Sequence, residues 1–261
     1  MSVLLSLGLV GCATLTDPVV APMGEMHLFL LAGQSNMAGR GEVMPEHREP
    51  IPGVWALQRD GSWGPAIDPL HWDKTIAGVG LARDFARAYL AANPGVEIGF
   101  IPAACGGSPV ESWQPAVYFT PTDSFPYDDA LARVRAVREK GILKGMLWHQ
   151  GESDSPPARA IDYEQRLSEL FARFRADLGV ADLPILVGQL GQFPEKPWTP
   201  GRAQVDAAHQ AIAQKDRWIE FVSSTGLGAK DDMVHFDAPA LAEFGRRYAA
   251  AWQRLERETR R

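Results

Sequence analysis

The sequence predicts a three-layer α/β/α sandwich, in which a mostly parallel sheet of five strands lies between two layers of helices. Short apolar runs alternate with amphipathic stretches from residue 27 to the end of the chain, and a parallel sheet with crossover helices produces this order. The runs are also about four to eight residues long and apolar on both faces, as expected of strands that are covered on both sides.

Five runs are predicted to be strands, and in chain order they cover residues 27–32, 96–102, 142–149, 183–190 and 219–223. The clearest helical pattern is an apolar stripe from Tyr163 to Leu178 with spacings of three and four residues. A second helix carries Leu81, Phe85 and Tyr89 and ends at Asn93-Pro94-Gly95, and a last helix covers residues 241–252. These stripes are the helix faces that pack on the sheet.

Two stretches interrupt this alternation. Residues 45–76 are rich in Pro and Gly, and residues 109–127 are also irregular. Long connections in a compact domain usually shape a binding site or a lid. Because the chain contains no internal repeat and no linker, residues 24–261 are predicted to form a single domain.

Residues 1–23 are predicted to be an export signal followed by a tether. The sequence Leu9-Val10-Gly11-Cys12 resembles the bacterial lipobox, which implies a lipidated Cys12, a membrane tether and a periplasmic or membrane-anchored protein. One feature departs from this pattern, since no Lys or Arg precedes Arg40. The alternative is an apolar N-terminus without a targeting role.

The net charge and the cysteine content restrict the range of possible functions. The formal net charge of −6 argues against a nucleic-acid partner, because phosphate neutralisation requires clustered Lys and Arg. Two cysteines are too few for a disulfide framework. Cys105, between an apolar run and two glycines, is expected to be a buried thiol, with a nucleophilic role as the alternative.

Chemically reactive side chains follow four of the predicted strands. These segments are GQSNMAG at residues 33–39, GGS at 106–108, HQGESD at 149–154 and DDMVH at 231–235. Ligands of an open parallel sheet bind outside the carboxyl ends of its strands. Ser35 alone is better explained as a helix cap or a turn residue. The combination instead supplies a hydroxyl, a base, an acid that orients the base, and donors for an oxyanion.

This set of motifs resembles the SGNH-hydrolase superfamily and, within it, the family six carbohydrate esterases that are grouped with sialic-acid-specific acetylesterases. The motifs span residues 27–237 in the family's order. The resemblance implies a flavodoxin-like sheet of the SGNH-hydrolase type. It also implies removal of acetyl groups from a sugar or polysaccharide, of the acetylxylan or sialate type, with no cofactor and no metal.

The resemblance also implies the role of each site residue. Ser35 is the expected nucleophile, His235 the general base, and Asp232 the carboxylate that orients it. The expected oxyanion hole consists of the backbone N–H groups of Ser35 and Gly107 and the side-chain amide of Gln150, where many members of the superfamily have Asn. Glu152 remains an alternative to Asp232 as the supporting acid.

Other functions stay open at this point. His149, Glu152, Asp154, Asp232 and His235 could together bind a metal ion. The tryptophans of the two irregular stretches could be stacking platforms for sugars, either in an enzyme or in a non-catalytic binding protein; they are Trp55, Trp63, Trp72 and Trp113. Of these, Trp63 and Trp113 are predicted to bind substrate together with Arg40. An ester or thioester of a lipid is a further candidate substrate, although no long apolar run suggests an acyl channel.

Overall fold

A computed structural model describes residues 25–259 of the chain. Cys12 and the rest of the export segment lie outside the described residues, so lipidation and export remain predictions. Within residues 25–259, no helix is long and apolar enough to span a membrane.

The architecture is a seven-stranded sheet between two layers of helices. The strands are β1 (Met26–Gly33), β2 (Val54–Leu57), β3 (Trp63–Pro65), β4 (Ile98–Pro102), β5 (Gly141–His149), β6 (Ile185–Gly188) and β7 (Ile219–Val222). The helices are α1 (Ser35–Ala38), α2 (Ala82–Ala92), α3 (Pro126–Val137), α4 (Pro157–Ala160), α5 (Tyr163–Leu178), α6 (Pro200–Lys215) and α7 (Ala238–Thr259). The predicted three-layer fold is confirmed.

The strand order is β3-β2-β4-β1-β5-β6-β7, and all pairs are parallel except β2 with β3. The five strands predicted from sequence thus have the flavodoxin-like order 2-1-3-4-5. In this arrangement β4 and β5 lie on opposite sides of β1, so the connections that follow these strands run in opposite directions. A crevice is expected at this switch point, at the carboxyl ends of the strands.

The hairpin of β2 and β3 was not predicted, because residues 45–76 were interpreted as irregular. Both strands are short, and they extend one edge of the sheet through parallel pairing of β2 with β4. The turn between them contains Asp60-Gly61, with a φ of +85° at Gly61. This dipeptide is a recognised hairpin signal, and it could have located the two strands from sequence.

Side chains of the central strand alternate between two cores. Leu28 and Leu30 of β1 pack in the core under α3, α5 and α6, whereas Phe29 and Leu31 pack in the core under α2 and α7. This alternation is the period of two that a strand imposes. Because both faces are filled, β1 is fixed from both sides, and its carboxyl end is a rigid platform for the residues that follow.

Candidate active site

Ser35 lies where β1 passes into α1. Gly33 has a φ of +126°, and a Cβ atom at this position would lie 2.1 Å from the carbonyl oxygen of His149. The close approach requires glycine and joins the ends of β1 and β5, where the N–H of Gln34 donates to the same carbonyl at 2.8 Å. The turn leaves Ser35 largely buried, at the point where the crevice begins.

Ser35 and His235 meet although they are 200 residues apart in the chain. The distance from Ser35 Oγ to His235 Nε2 is 2.9 Å. On the other side of the ring, His235 Nδ1 lies 2.6 Å from Asp232 Oδ2. A carboxylate only accepts, so Nδ1 carries the proton and Nε2 is left to accept from the serine hydroxyl. The three side chains form a continuous hydrogen-bonded relay.

The turn that holds Asp232 beneath the ring is built locally. Its second carboxylate oxygen accepts from the backbone N–H groups of Val234 and His235 at 2.8 and 2.9 Å, and Met233 closes the turn with a φ of +51°. Burial raises the pKa of Asp232, but the hydrogen bonds from the His235 ring and from these N–H groups outweigh burial and lower the pKa to about 2. The carboxylate is therefore ionised at any pH near neutrality.

Asn36 connects this turn to the serine. Its Nδ2 donates to the carbonyl of Val234 at 3.1 Å and to Glu152 Oε1 at 2.6 Å, and its Oδ1 accepts from the N–H of Phe236 at 3.1 Å. Both ends of one buried amide are thus used to fix the loop of His235 against α1. The GQSN motif contains Asn36, but the sequence pattern alone does not reveal this role.

Glu152 does not contact His235 through any hydrogen bond in the described part of the chain. One of its carboxylate oxygens accepts from Asn36, and the same oxygen lies 3.8 Å from His149 Nδ1. The structure therefore places Asp232, and not the alternative Glu152, beside the imidazole.

Two backbone donors, the N–H groups of Ser35 and Gly107, follow the carboxyl ends of β1 and β4. Among residues 25–259, neither N–H has an acceptor. Gly107 has a φ of +85°, which favours glycine, and its carbonyl accepts from Ser153 Oγ at 2.9 Å, which fixes the orientation of the peptide. The two N–H groups are available to a developing oxyanion.

The expectation for Gln150 is wrong in this structure. The side chain is fully buried, and its amide donates to Asp154 and, at 3.1 Å, to the carbonyl of Ser108. Its Oε1 accepts from the hydroxyl of Tyr163 at 2.8 Å. Both amide hydrogens are used, so Gln150 supports the loop of Gly107 from below and has no donor left for an oxyanion.

Gln34 is a donor that sequence analysis missed. Its Oε1 accepts from the backbone N–H groups of Gly151 and Ser153 at 3.3 and 3.4 Å. These two donors set the amide orientation, and Nε2 on the other side has no acceptor within residues 25–259. The side chain is 3% exposed and belongs to the residue directly before Ser35, which is the signal that could have identified it.

Arg40, predicted to bind substrate, is instead buried in an ion pair. Its Nη2 lies 2.7 Å from Asp73 Oδ2, with both side chains 3% exposed. The same carboxylate oxygen accepts from the N–H of Gly106 at 2.8 Å, and the carbonyl of Arg40 accepts from Lys230 Nζ at 2.7 Å. The pair thus joins the loops that carry Ser35, Gly107 and His235, and its guanidinium is not available to a ligand.

We expect Asp73→Ala to lower the free energy of unfolding by roughly 3–5 kcal/mol, because a buried guanidinium then lacks its anion. Urea unfolding measures the change. Asp84→Ala is the matched control, since Asp84 pairs with Arg87 and Arg246 at the surface at 3.6 and 3.5 Å, and its loss should cost less than about 1 kcal/mol. If the two variants lowered the free energy of unfolding equally, the ion pair of Arg40 with Asp73 would not be more important for stability than a surface pair.

Trp113 is not presented as a stacking platform, and the substrate-binding role of Trp63 remains a prediction. Trp113 is 0% exposed, donates to Ser108 Oγ at 2.9 Å and packs on Trp148 with ring centroids 5.1 Å apart. Trp63 is partly buried against the core beneath it. Trp55 donates to Glu97 Oε1 at 3.1 Å, and Trp72 lines a cleft of about 530 Å³ beneath the guanidinium of Arg133. The substrate-binding prediction for Trp113 is therefore wrong.

The residues considered as metal ligands do not converge on one point. Within residues 25–259, no three side chains of His, Cys, Asp or Glu are grouped so that they could hold a metal ion. Cys105 is buried, as expected, and burial raises the pKa of its thiol, which disfavours the nucleophilic thiolate. Ser35, by contrast, has the imidazole of His235 within hydrogen-bonding distance.

Comparison with known proteins identifies relatives over almost the whole described chain. A protein of Arabidopsis thaliana named as a probable carbohydrate esterase is 29% identical over 257 residues, which are 90% of this chain and 93% of the relative. A crystal structure of an Arabidopsis thaliana protein superposes with a TM-score of 0.77 at 27% identity and covers 88% of this chain and 98% of its own.

Two further solved structures share the fold. The structure of NanS has a TM-score of 0.70 at 19% identity, with 92% of this chain and all of the other chain covered. A carbohydrate acetylesterase from Xanthomonas citri has a TM-score of 0.68 at 20% identity, with coverages of 88% and 56%. The sequence model of the family described as carbohydrate esterase, sialic acid-specific acetylesterase, matches residues 25–254. The chain therefore belongs to this family of carbohydrate acetylesterases, which are carboxylic ester hydrolases.

Proposed function

We propose that this acetylesterase is serine-dependent and removes acetyl groups from the hydroxyls of a sugar or polysaccharide through an acetyl-enzyme. The observation that carries the proposal is the relay from Ser35 through His235 to Asp232, with distances of 2.9 and 2.6 Å. A serine hydroxyl needs an adjacent base, and the base needs a group that holds its tautomer; both requirements are met here.

In the first half of the reaction, Ser35 Oγ attacks the carbonyl carbon of the acetyl ester while its proton passes to His235 Nε2. The tetrahedral intermediate carries a negative charge on the former carbonyl oxygen. When the intermediate collapses, the bond to the sugar oxygen breaks and that oxygen takes the proton from His235 Nε2. The alcohol leaves, and the acetyl group remains esterified to Ser35.

In the second half, a water molecule takes the place of the sugar hydroxyl. His235 Nε2 accepts a proton from the water as it attacks the acetyl carbon, and returns it to Ser35 Oγ as acetate leaves. Asp232 stays ionised throughout, because its pKa is about 2, and it stabilises the imidazolium that forms in each half.

The oxyanion is stabilised by three donors: the backbone N–H groups of Ser35 and Gly107 and the side-chain amide of Gln34. The three groups have no acceptor among the described residues. Gln34 takes the role that the family resemblance implied for Gln150, whose hydrogens are used beneath the site. Fixed donors of this kind contribute most when they need not reorganise during the reaction.

Acetate release tests the proposal. The purified protein is incubated with p-nitrophenyl acetate, acetylated xylo-oligosaccharides and O-acetylated sialic acid, and free acetate is measured. Release from at least one acetylated sugar is expected, together with a mass increase of one acetyl group on Ser35 when the reaction is quenched with acid. With p-nitrophenyl acetate, whose good leaving group makes acylation fast, an acetyl group found on a residue other than Ser35 would contradict the proposed route.

We expect Gln34→Ala to lower kcat by about a hundredfold with little change in KM, because one donor to the transition state is lost. Gln34→Glu should lose at least as much activity, since it keeps the acceptor oxygen but replaces the donor with a charge. Gln165→Ala, on the exposed face of α5, is the control. If Gln34→Glu keeps wild-type kcat, the residue serves only to accept hydrogen bonds, and the third donor is wrongly assigned.

A further inference from the structure

A cleft of about 380 Å³ adjoins the proposed oxyanion hole. Gly107 forms part of its lining, and Tyr118, Glu111 and Arg159 line it further out. An oxyanion bound by the N–H of Gly107 lies about 3 Å from that nitrogen. The alcohol oxygen of the same ester is two bonds from the oxyanion, so the sugar begins close to Gly107, which belongs to both the cleft and the proposed oxyanion hole.

Tyr118 presents an aromatic surface to this cleft and is 49% exposed. Its hydroxyl donates to Asp123, and its ring packs against Phe125 with centroids 5.3 Å apart. The hydrogen bond of the hydroxyl and the contact with Phe125 therefore restrict the orientation of the ring. A tyrosine fixed in this way offers a large amphipathic face at low entropic cost, which suits the apolar C–H face of a pyranose.

The charges of the cleft neutralise each other. Glu111 and Arg159 are the two charged residues in its lining, and they pair at 3.1 Å. Arg159 also donates to the carbonyl of Ser153 at 3.1 Å. A second arginine, Arg166, lies 3.4 Å from the same glutamate and 3.6 Å from Asp162. Among the described residues that line the cleft, Arg159 and Glu111 are the charged ones, and the hydroxyl groups of a sugar can exchange hydrogen bonds with both members of this pair.

We propose that this cleft binds the pyranose that carries the acetyl ester, with Tyr118 as its stacking surface. The inference rests on the proposed function and adds the side chain against which the sugar packs. Tyr118 takes the role that the sequence suggested for Trp113, whose ring is buried.

Steady-state kinetics of Tyr118→Ala and Tyr118→Phe test the cleft with two substrates, an acetylated xylo-oligosaccharide and p-nitrophenyl acetate. For Tyr118→Ala, KM for the oligosaccharide is expected to rise about five- to tenfold, while kcat/KM for p-nitrophenyl acetate stays at the wild-type value. Tyr118→Phe keeps the ring and should resemble the wild type. Trp218→Ala is the control, because Trp218 directly precedes the edge strand β7 and does not line the cleft.

The possible outcomes separate the two proposals. A wild-type protein that releases acetate from neither substrate would contradict the proposed function itself. An active wild type whose KM for the oligosaccharide is unchanged by Tyr118→Ala would overturn the cleft alone. If Tyr118→Ala lowered kcat/KM equally for both substrates, Tyr118 would instead stabilise the loop that carries it.

Discussion

Replacement of Ser35 by alanine is expected to lower kcat for acetyl ester hydrolysis by roughly four to six orders of magnitude. The substitution removes the atom that His235 Nε2 contacts at 2.9 Å, so no acetyl-enzyme can form. The oxyanion donors remain, and they set the residual rate. Acetate release from a sugar ester measures the loss, and acid-quenched mass spectrometry should show no acetylated protein.

Ser168→Ala is the matched control for this experiment. Ser168 lies on the exposed face of α5, and its hydroxyl donates to the carbonyl of Glu164 at 2.8 Å. Its loss should leave kcat unchanged. If Ser35→Ala retained more than about a tenth of wild-type kcat, another group would be the nucleophile. The hydrogen bonds among Ser35, His235 and Asp232 would then have no role in catalysis.

Asp232→Asn is expected to lower kcat by roughly 10³- to 10⁴-fold. The asparagine amide can present hydrogens to His235 Nδ1, which favours the tautomer whose Nε2 carries the proton and cannot accept from Ser35. Glu152→Gln tests the alternative acid, and it should cost less than tenfold because Glu152 bonds to Asn36 and not to the imidazole. A larger loss from Glu152→Gln than from Asp232→Asn would reverse the assignment.

The pH dependence of Asp232 follows from the sign of its pKa shift. Its pKa falls from 3.8 to about 2 on folding, so folding favours the ionised form. This stabilising contribution is present above about pH 4 and is lost as the pH falls towards 2. Between pH 4 and 9 the carboxylate does not titrate, so any acidic limb of the wild-type rate profile in that range belongs to another group.

The sheet could be predicted because it depends on local sequence, whereas the roles of the relay residues were implied by the resemblance of their motifs to a known family. Strands that are buried on both faces leave apolar runs, and the turn of Asp232 and His235 is closed by hydrogen bonds within four residues. The topology then brings Ser35 and His235 to the same edge of the sheet. The hairpin of β2 and β3 was missed because its strands are short and carry no clear alternation, although Asp60-Gly61 marks its turn.

Side-chain direction and burial could not be predicted in the same way. Gln150, Arg40 and Trp113 have the right chemistry and the right place in the chain, but each is buried with its polar atoms in use. Tyr118 lies only five residues after Trp113, and nothing in the sequence distinguishes the exposed ring from the buried one. These properties depend on packing between distant segments, which a single sequence does not display.

The distance along the chain between the two halves of the relay also has a consequence for biosynthesis. A nascent polypeptide contains Ser35, Gln34 and Gly107 long before the ribosome reaches Asp232 and His235, and the relay forms only when the loop after β7 docks against Asn36. Ester cleavage should therefore begin only after translation is nearly complete. For the same reason, turnover of a chromogenic acetate offers a simple readout of correctly finished folding in this protein.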